Sequence, residues 1–144
     1  MTRNEFDDRT LENIDGHIWG DPPVDATRLM KKVYSLRRKQ IHAMTAEDLR
    51  VLLGQRENIS VLVPRALALL EGNPLVQGDF YPGDLLVAAL QVSDDYWSRH
   101  SDMAARLGNI IEQLRVVDDL EFFFPPEAEI WDRIERLRES GIIG

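Results

Sequence analysis

The sequence predicts an all-α fold, a compact single-domain multi-helix bundle over residues 1–144 with a central buried helix near residues 82–92. Three observations lead there. Apolar residues recur at helical spacing in one segment after another. Ser, Thr and Asp stand where helix N-termini need capping oxygens. The one stretch that could start a strand, Val116-Val117, has no visible partner strand. At 144 residues the chain has the ordinary size of one domain, able to bury roughly two-thirds of its unfolded surface.

The elements follow in order. Thr10 caps a short helix carrying Leu11 and Ile14, ending before the Gly20-Asp21-Pro22-Pro23 turn. Asp25 caps the next, where Leu29, Val33 and Leu36 form one apolar stripe. Thr45-Ala46-Glu47-Asp48 reads as a capping box opening a helix that buries Leu49, Leu52 and Leu53 and stops near Gly54. Pro64 lies near the start of an apolar helix with Leu62, Ala66, Leu69 and Leu70, ended by Gly72. Pro82 suits a first helical turn, and the run from Leu85 to Val92 is apolar on every face, which marks the buried centre. Ser93-Asp94-Asp95 reads as a cap followed by two acids that suit a helix dipole. Met103, Leu107, Ile110, Ile111 and Leu114 keep a helical period. After an extended stretch through Phe122-Phe123-Phe124, Pro125-Pro126 introduces a last helix with Ile130, Ile134 and Leu137.

Charge is uneven along the chain. Residues 1–25 hold two basic and seven acidic side chains, residues 26–65 nine basic and three acidic, and the remainder six basic and fifteen acidic. The local balances are −5, +6 and −9, and the net charge is −8. An acidic chain argues against phosphate-dominated nucleic-acid binding and is compatible with capture of a basic partner. The basic run Arg28, Lys31, Lys32, Arg37, Arg38 and Lys39 reads as an amphipathic surface helix with a basic end, since no aromatic residues interleave it as in single-strand binders. No stretch approaches the ~18 apolar residues of a membrane span, and the opening MTRNEFDDRT has neither a basic leader nor an apolar core. A soluble, cytoplasmic protein is expected.

Catalytic chemistry finds little support. Without cysteine there are no disulfides, thiol nucleophiles or Cys-based zinc sites. His17, His42 and His100 match no helical zinc spacing, and the nine glycines form neither a Walker loop nor a dinucleotide fingerprint. There is no Gly-x-Ser-x-Gly elbow. The adjacent pairs Asp7-Asp8, Asp94-Asp95 and Asp118-Asp119 project about 100° apart on a helix, poor geometry for shared acid–base work. No catalytic, cofactor-binding or metal-binding residue is assigned. The expected protein is not an enzyme and needs no cofactor.

An ordered set of segments carries a family resemblance. It runs through Leu11-Glu12-Asn13, Trp19-Gly20-Asp21-Pro22, Leu36-Arg37-Arg38-Lys39, Thr45-Ala46-Glu47-Asp48-Leu49-Arg50, Leu53-Gly54-Gln55, Leu62-Val63-Pro64 and Ala66-Leu67. Its most distinctive parts are Asn73-Pro74-Leu75 and Gly78-Asp79-Phe80-Tyr81-Pro82-Gly83-Asp84-Leu85-Leu86. Over about residues 11–92 the sequence resembles the small all-helical immunity proteins of contact-dependent growth inhibition (CDI) systems, while residues 93–144 look like a more variable helical tail. The resemblance implies a bacterial cytoplasmic inhibitor. Its partner would be the C-terminal toxin domain of a large surface-delivered effector, in many such systems a nuclease. The alternative is a helical regulatory or scaffold protein that binds another cellular protein.

A recognition surface is expected in the acidic C-terminal half, at Asp94, Asp95, Asp118, Asp119 and Glu121, with Trp97 as an aromatic anchor. Clustered acids there can meet the basic residues with which a nuclease holds phosphates. The competing expectation is that Ser93-Asp94-Asp95 only starts a helix while Trp97 fills the core.

Overall fold

Capping side chains on Thr10, Thr45 and Ser93 open helices where the sequence places them. The computed structural model describes residues 8–114 and 127–143. The helices run α1 (Leu11–Asp15), α2 (Arg28–Leu36), a 3₁₀ turn (Ile41–Ala43), α3 (Ala46–Gly54), α4 (Ile59–Gly72), α5 (Asp84–Leu90), α6 (Asp94–Arg99), α7 (Ser101–Leu114) and α8 (Glu127–Glu139). Thr10 and Thr45 both form reciprocal capping boxes, with Asn13 and Asp48 as third helical residues. Ser93 Oγ accepts from the Tyr96 amide to open α6. The all-α expectation holds: the described residues contain no strand, only an isolated antiparallel bridge between Gln77 and Pro82.

The core lies around α5. Leu85, Leu86, Ala89 and Leu90 are buried, and the helix packs against α3, α4 and α8. Burying each such leucine contributes about 1.5–3 kcal/mol. The α7 residues Leu107, Ile110, Ile111 and Leu114 close one side against α4, and Ile134 and Leu137 of α8 are buried with them. From α8, Arg133 donates through Nε to the Leu90 carbonyl (2.7 Å) and through Nη2 to that of Val92 (3.0 Å). A cation thus meets carbonyls at the C-terminal end of α5, where the helix has no amides left to offer them.

Four local expectations are corrected. Thr27, not Asp25, caps α2: its Oγ1 accepts from the Met30 amide, while Asp25 lies in a turn closed by the Ala26 amide on the Pro23 carbonyl. Leu29 turns outward, so Val33 and Leu36 alone carry the buried stripe. Pro64 sits inside α4, which begins five residues earlier behind Asn58. Its missing N–H leaves one intrahelical bond unmade, a loss the helix survives through the burial of Leu62, Val63, Ala66 and Leu67. Pro82 stands outside α5, which starts at Asp84 behind Gly83 in the left-handed region (φ +88°), a conformation only glycine adopts freely. Val116, Val117 and residues 122–126 lie outside the described residues.

Candidate partner-binding surface

The basic run predicted to coat a solvated face partly turns inward. Arg37 is only 1% exposed. Its Nη2 donates to both oxygens of Asp15 (2.8 Å each) and to the His17 carbonyl (2.8 Å), while Nη1 reaches Glu57 Oε2 (3.2 Å). The Trp19 ring covers the guanidinium at 4.4 Å and meets Tyr34 edge-on. Asn58 Nδ2 donates to the same Asp15 carboxylate, so one cluster ties α1, the end of α2 and the α3–α4 turn together. Arg38 holds the Gly20 carbonyl and pairs with Glu12 and Asp21. Lys39 and Lys32 both meet Asp48, at 2.6 and 3.5 Å. Much of the positive charge in residues 26–65 is therefore neutralised internally.

These pairings shift carboxyl groups in a direction that can be tested. Burial works to raise Asp15, but the His17 amide, Arg37 and Asn58 outweigh it and hold the group below its ordinary value. Burial likewise opposes the lowering of Asp48, which Lys39, the Thr45 amide and Lys32 nevertheless achieve. Arg50 chiefly lowers Glu47, and Arg106 chiefly lowers Glu71. Groups whose folded values are depressed stabilise the fold fully above their unfolded values and lose that contribution as pH falls through the folded ones. The melting temperature is therefore expected to stay level from neutrality to about pH 5 and to fall steadily below about pH 4.5. A level melting temperature down to pH 3 would contradict these pairings.

The Gly78–Asp84 segment is a pinned loop. Asp84, 3% exposed, accepts from the amides of Gly78 (2.6 Å) and Phe80 (3.1 Å), and Glu47 accepts from the amide between them, that of Asp79 (2.9 Å). Asp84 stands in the first turn of α5, yet its carboxylate reaches back into the loop and not to the amides of its own helix. Arg50 bridges the two carboxylates, forked onto Glu47 (2.7 and 2.6 Å) and 3.9 Å from Asp84. A Cβ on Gly78 would fall 2.6 Å from Glu47 Oε1 and 2.9 Å from Asp84 Oδ2, so only glycine permits this approach. Tyr81 packs on the core, while Phe80 lies over the Arg50 guanidinium at 4.4 Å and stays 67% exposed.

Of the nominated recognition residues, the structure describes three. Trp97 takes the core-filling role: it is 1% exposed, its Nε1 donates to the Val92 carbonyl, and it offers a partner no surface. Asp94 and Asp95 stand exposed at the first turn of α6, paired with Arg133 (2.9 Å) and Arg99 (3.2 Å). Asp95 also borders a hollow of about 600 Å³ with Leu53, Ile59, Val92 and Tyr96. Asp118, Asp119 and Glu121 lie outside the described residues. The Phe80 loop was missed as a surface, although its Gly-Asp-Phe-Tyr-Pro-Gly-Asp spelling already carried the resemblance.

Two of the three histidines have local partners: His100 stacks on Tyr96 at 4.1 Å, and His42 shares a hydrogen bond with Gln40. Among the described residues, no group of three or more His, Asp or Glu is placed to hold a metal ion, and no helix is long and apolar enough to cross a membrane. No curated protein and no solved structure matches the chain. The family model described as CDI immunity proteins matches residues 13–107, two-thirds of the chain and most of the segment that carries the resemblance. The helices, the Arg37 cluster and the pinned loop described above fall largely within that match, and the chain belongs to the CDI immunity proteins, whose function is immunity against a CDI toxin.

Proposed function

We propose that this chain acts in the cytoplasm as a non-catalytic inhibitor that binds the C-terminal toxin domain of its cognate CDI effector, a nuclease, and neutralises it by direct contact. The family match over residues 13–107 carries this reading. The net charge of −8 supports a nuclease target, because a surface that holds phosphates is basic. In this reading Asp94, Asp95, Asp118, Asp119 and Glu121 steer the approach. The arginine partners of Asp94 and Asp95 do not prevent this: the Asp95–Arg99 pair lies at the surface and is worth at most about 1 kcal/mol, while Asp94 stays more than half exposed although Arg133 is held by the carbonyls at the end of α5.

Co-expression with the toxin domain encoded beside it should rescue growth, and the two should co-purify. Reversal of Asp118, Asp119 and Glu121 to Lys should slow association about tenfold at low salt, with a smaller effect at high salt. Wild-type association kinetics in that variant would remove these acids from the encounter. Binding without rescue would favour a scaffold over an inhibitor.

A further inference from the structure

We infer that the short-range anchor for the toxin is the pinned loop tip, Asp79 and Phe80, together with the hollow beside it at the end of α3. The inference rests on the reading that the chain neutralises its toxin by direct contact.

Four observations carry it. First, Phe80 is a rigid, exposed aromatic. Two carboxylates fix three consecutive amides of its loop, and Arg50 supports the ring from below. A large apolar side chain held outward in this way has little conformational freedom left to lose on binding, which is what makes an aromatic an effective anchor. Second, a hollow of about 260 Å³ opens beside it, bordered by Gly54, Tyr81, Val87 and Ala88. Gly54 also borders the larger hollow that reaches Asp95, so the two adjoin across the last turn of α3. Third, nothing in the fold calls for a glycine there. Gly54 lies in an ordinary helical conformation, and a Cβ would meet no atom within 4 Å, so the missing side chain keeps the surface concave without relieving any packing. Fourth, the charge suits a basic partner. Asp79 is exposed next to Phe80, and Glu47, Asp79 and Asp84 outnumber Arg50 around the ring.

The occupant is thus a basic face of the toxin that receives Phe80 and seats one of its own apolar side chains against Gly54. Steering by the C-terminal acids and anchoring at this tip are separable, because charge acts mainly on association and buried contacts mainly on dissociation.

The experiment measures association and dissociation rates of the purified full-length chain with its cognate toxin domain. Phe80→Ala should raise the dissociation rate about 30-fold and leave association nearly unchanged. Gly54→Gln should raise it about tenfold or more. Gly54→Gln should melt no lower than wild type, since glutamine favours helix over glycine, and Phe80→Ala should lose at most its contact with Arg50, a fall of a few degrees. Ile18→Ala and Val24→Ala, at apolar residues exposed elsewhere on the described surface, should dissociate as wild type does. Wild-type dissociation of both Phe80→Ala and Gly54→Gln overturns the anchor and leaves direct neutralisation standing; so does a loss that follows Ile18 and Val24 instead. Failure of the wild-type chain itself to bind the toxin domain overturns the reading of direct contact, and the anchor with it.

Discussion

Leu86→Asp is expected to lower stability by more than about 4 kcal/mol. Leu86 is wholly buried in α5, with α3, α4 and α8 packed around the helix. The substitution removes the burial energy of a leucine and places a carboxyl within the apolar core. Leu86→Ala supplies the reference: it leaves only a cavity and should cost about 3 kcal/mol. Urea unfolding of the pair separates the two contributions, and the aspartate variant should recover part of its deficit in acid as the carboxyl takes up a proton. An unchanged midpoint for Leu86→Asp would mean that α5 is not the centre of the core.

Arg37→Met is expected to be the second most damaging change, at about 3 kcal/mol. Methionine fills much of the space but leaves Asp15 and Glu57 without their shared cation. The value sits at the low end for a broken buried pair because both carboxylates keep 22% of their side-chain exposure. Adding Asp15→Asn should return part of the loss, since the cluster then holds one charge fewer. Lowering the pH should narrow the gap from wild type, because protonated carboxyls no longer need the guanidinium. A loss under 0.5 kcal/mol would show that solvent already screens the cluster.

The parts of the fold legible in the sequence are those fixed by near neighbours. Thr10, Thr45 and Ser93 bond to an amide three residues away, so their spelling suffices to place the helix starts. The spacing of Leu107, Ile110, Ile111 and Leu114 shows one buried face because a helix face is a local property. Arg37 was illegible for the opposite reason. Its carboxylate partners lie 22 positions before it and 20 after it, and a run of basic residues reads the same whether solvated or buried. The bonds of Asp84 were illegible for the same reason: an acid in the first turn of a helix suits the dipole, yet its bonds run backwards into a loop fixed by Glu47 from α3. Trp97 had two roles consistent with its sequence, and only the packing around it separates them.

Arg133 and its helix bear on how the protein is made. The family match ends at residue 107, yet α5 is covered in part by α8, which lies about 40 residues further along the chain and leaves the ribosome later. At synthesis rates of about 5–20 residues per second, roughly 2–10 s separate the appearance of Leu90 from that of Glu139 at the end of α8. Throughout that interval one side of α5 lacks its cover, and the Leu90 carbonyl awaits the Arg133 guanidinium. The core is completed only when α8 arrives, and a message truncated after the matched segment is expected to yield a polypeptide for chaperones and proteases rather than a smaller working protein.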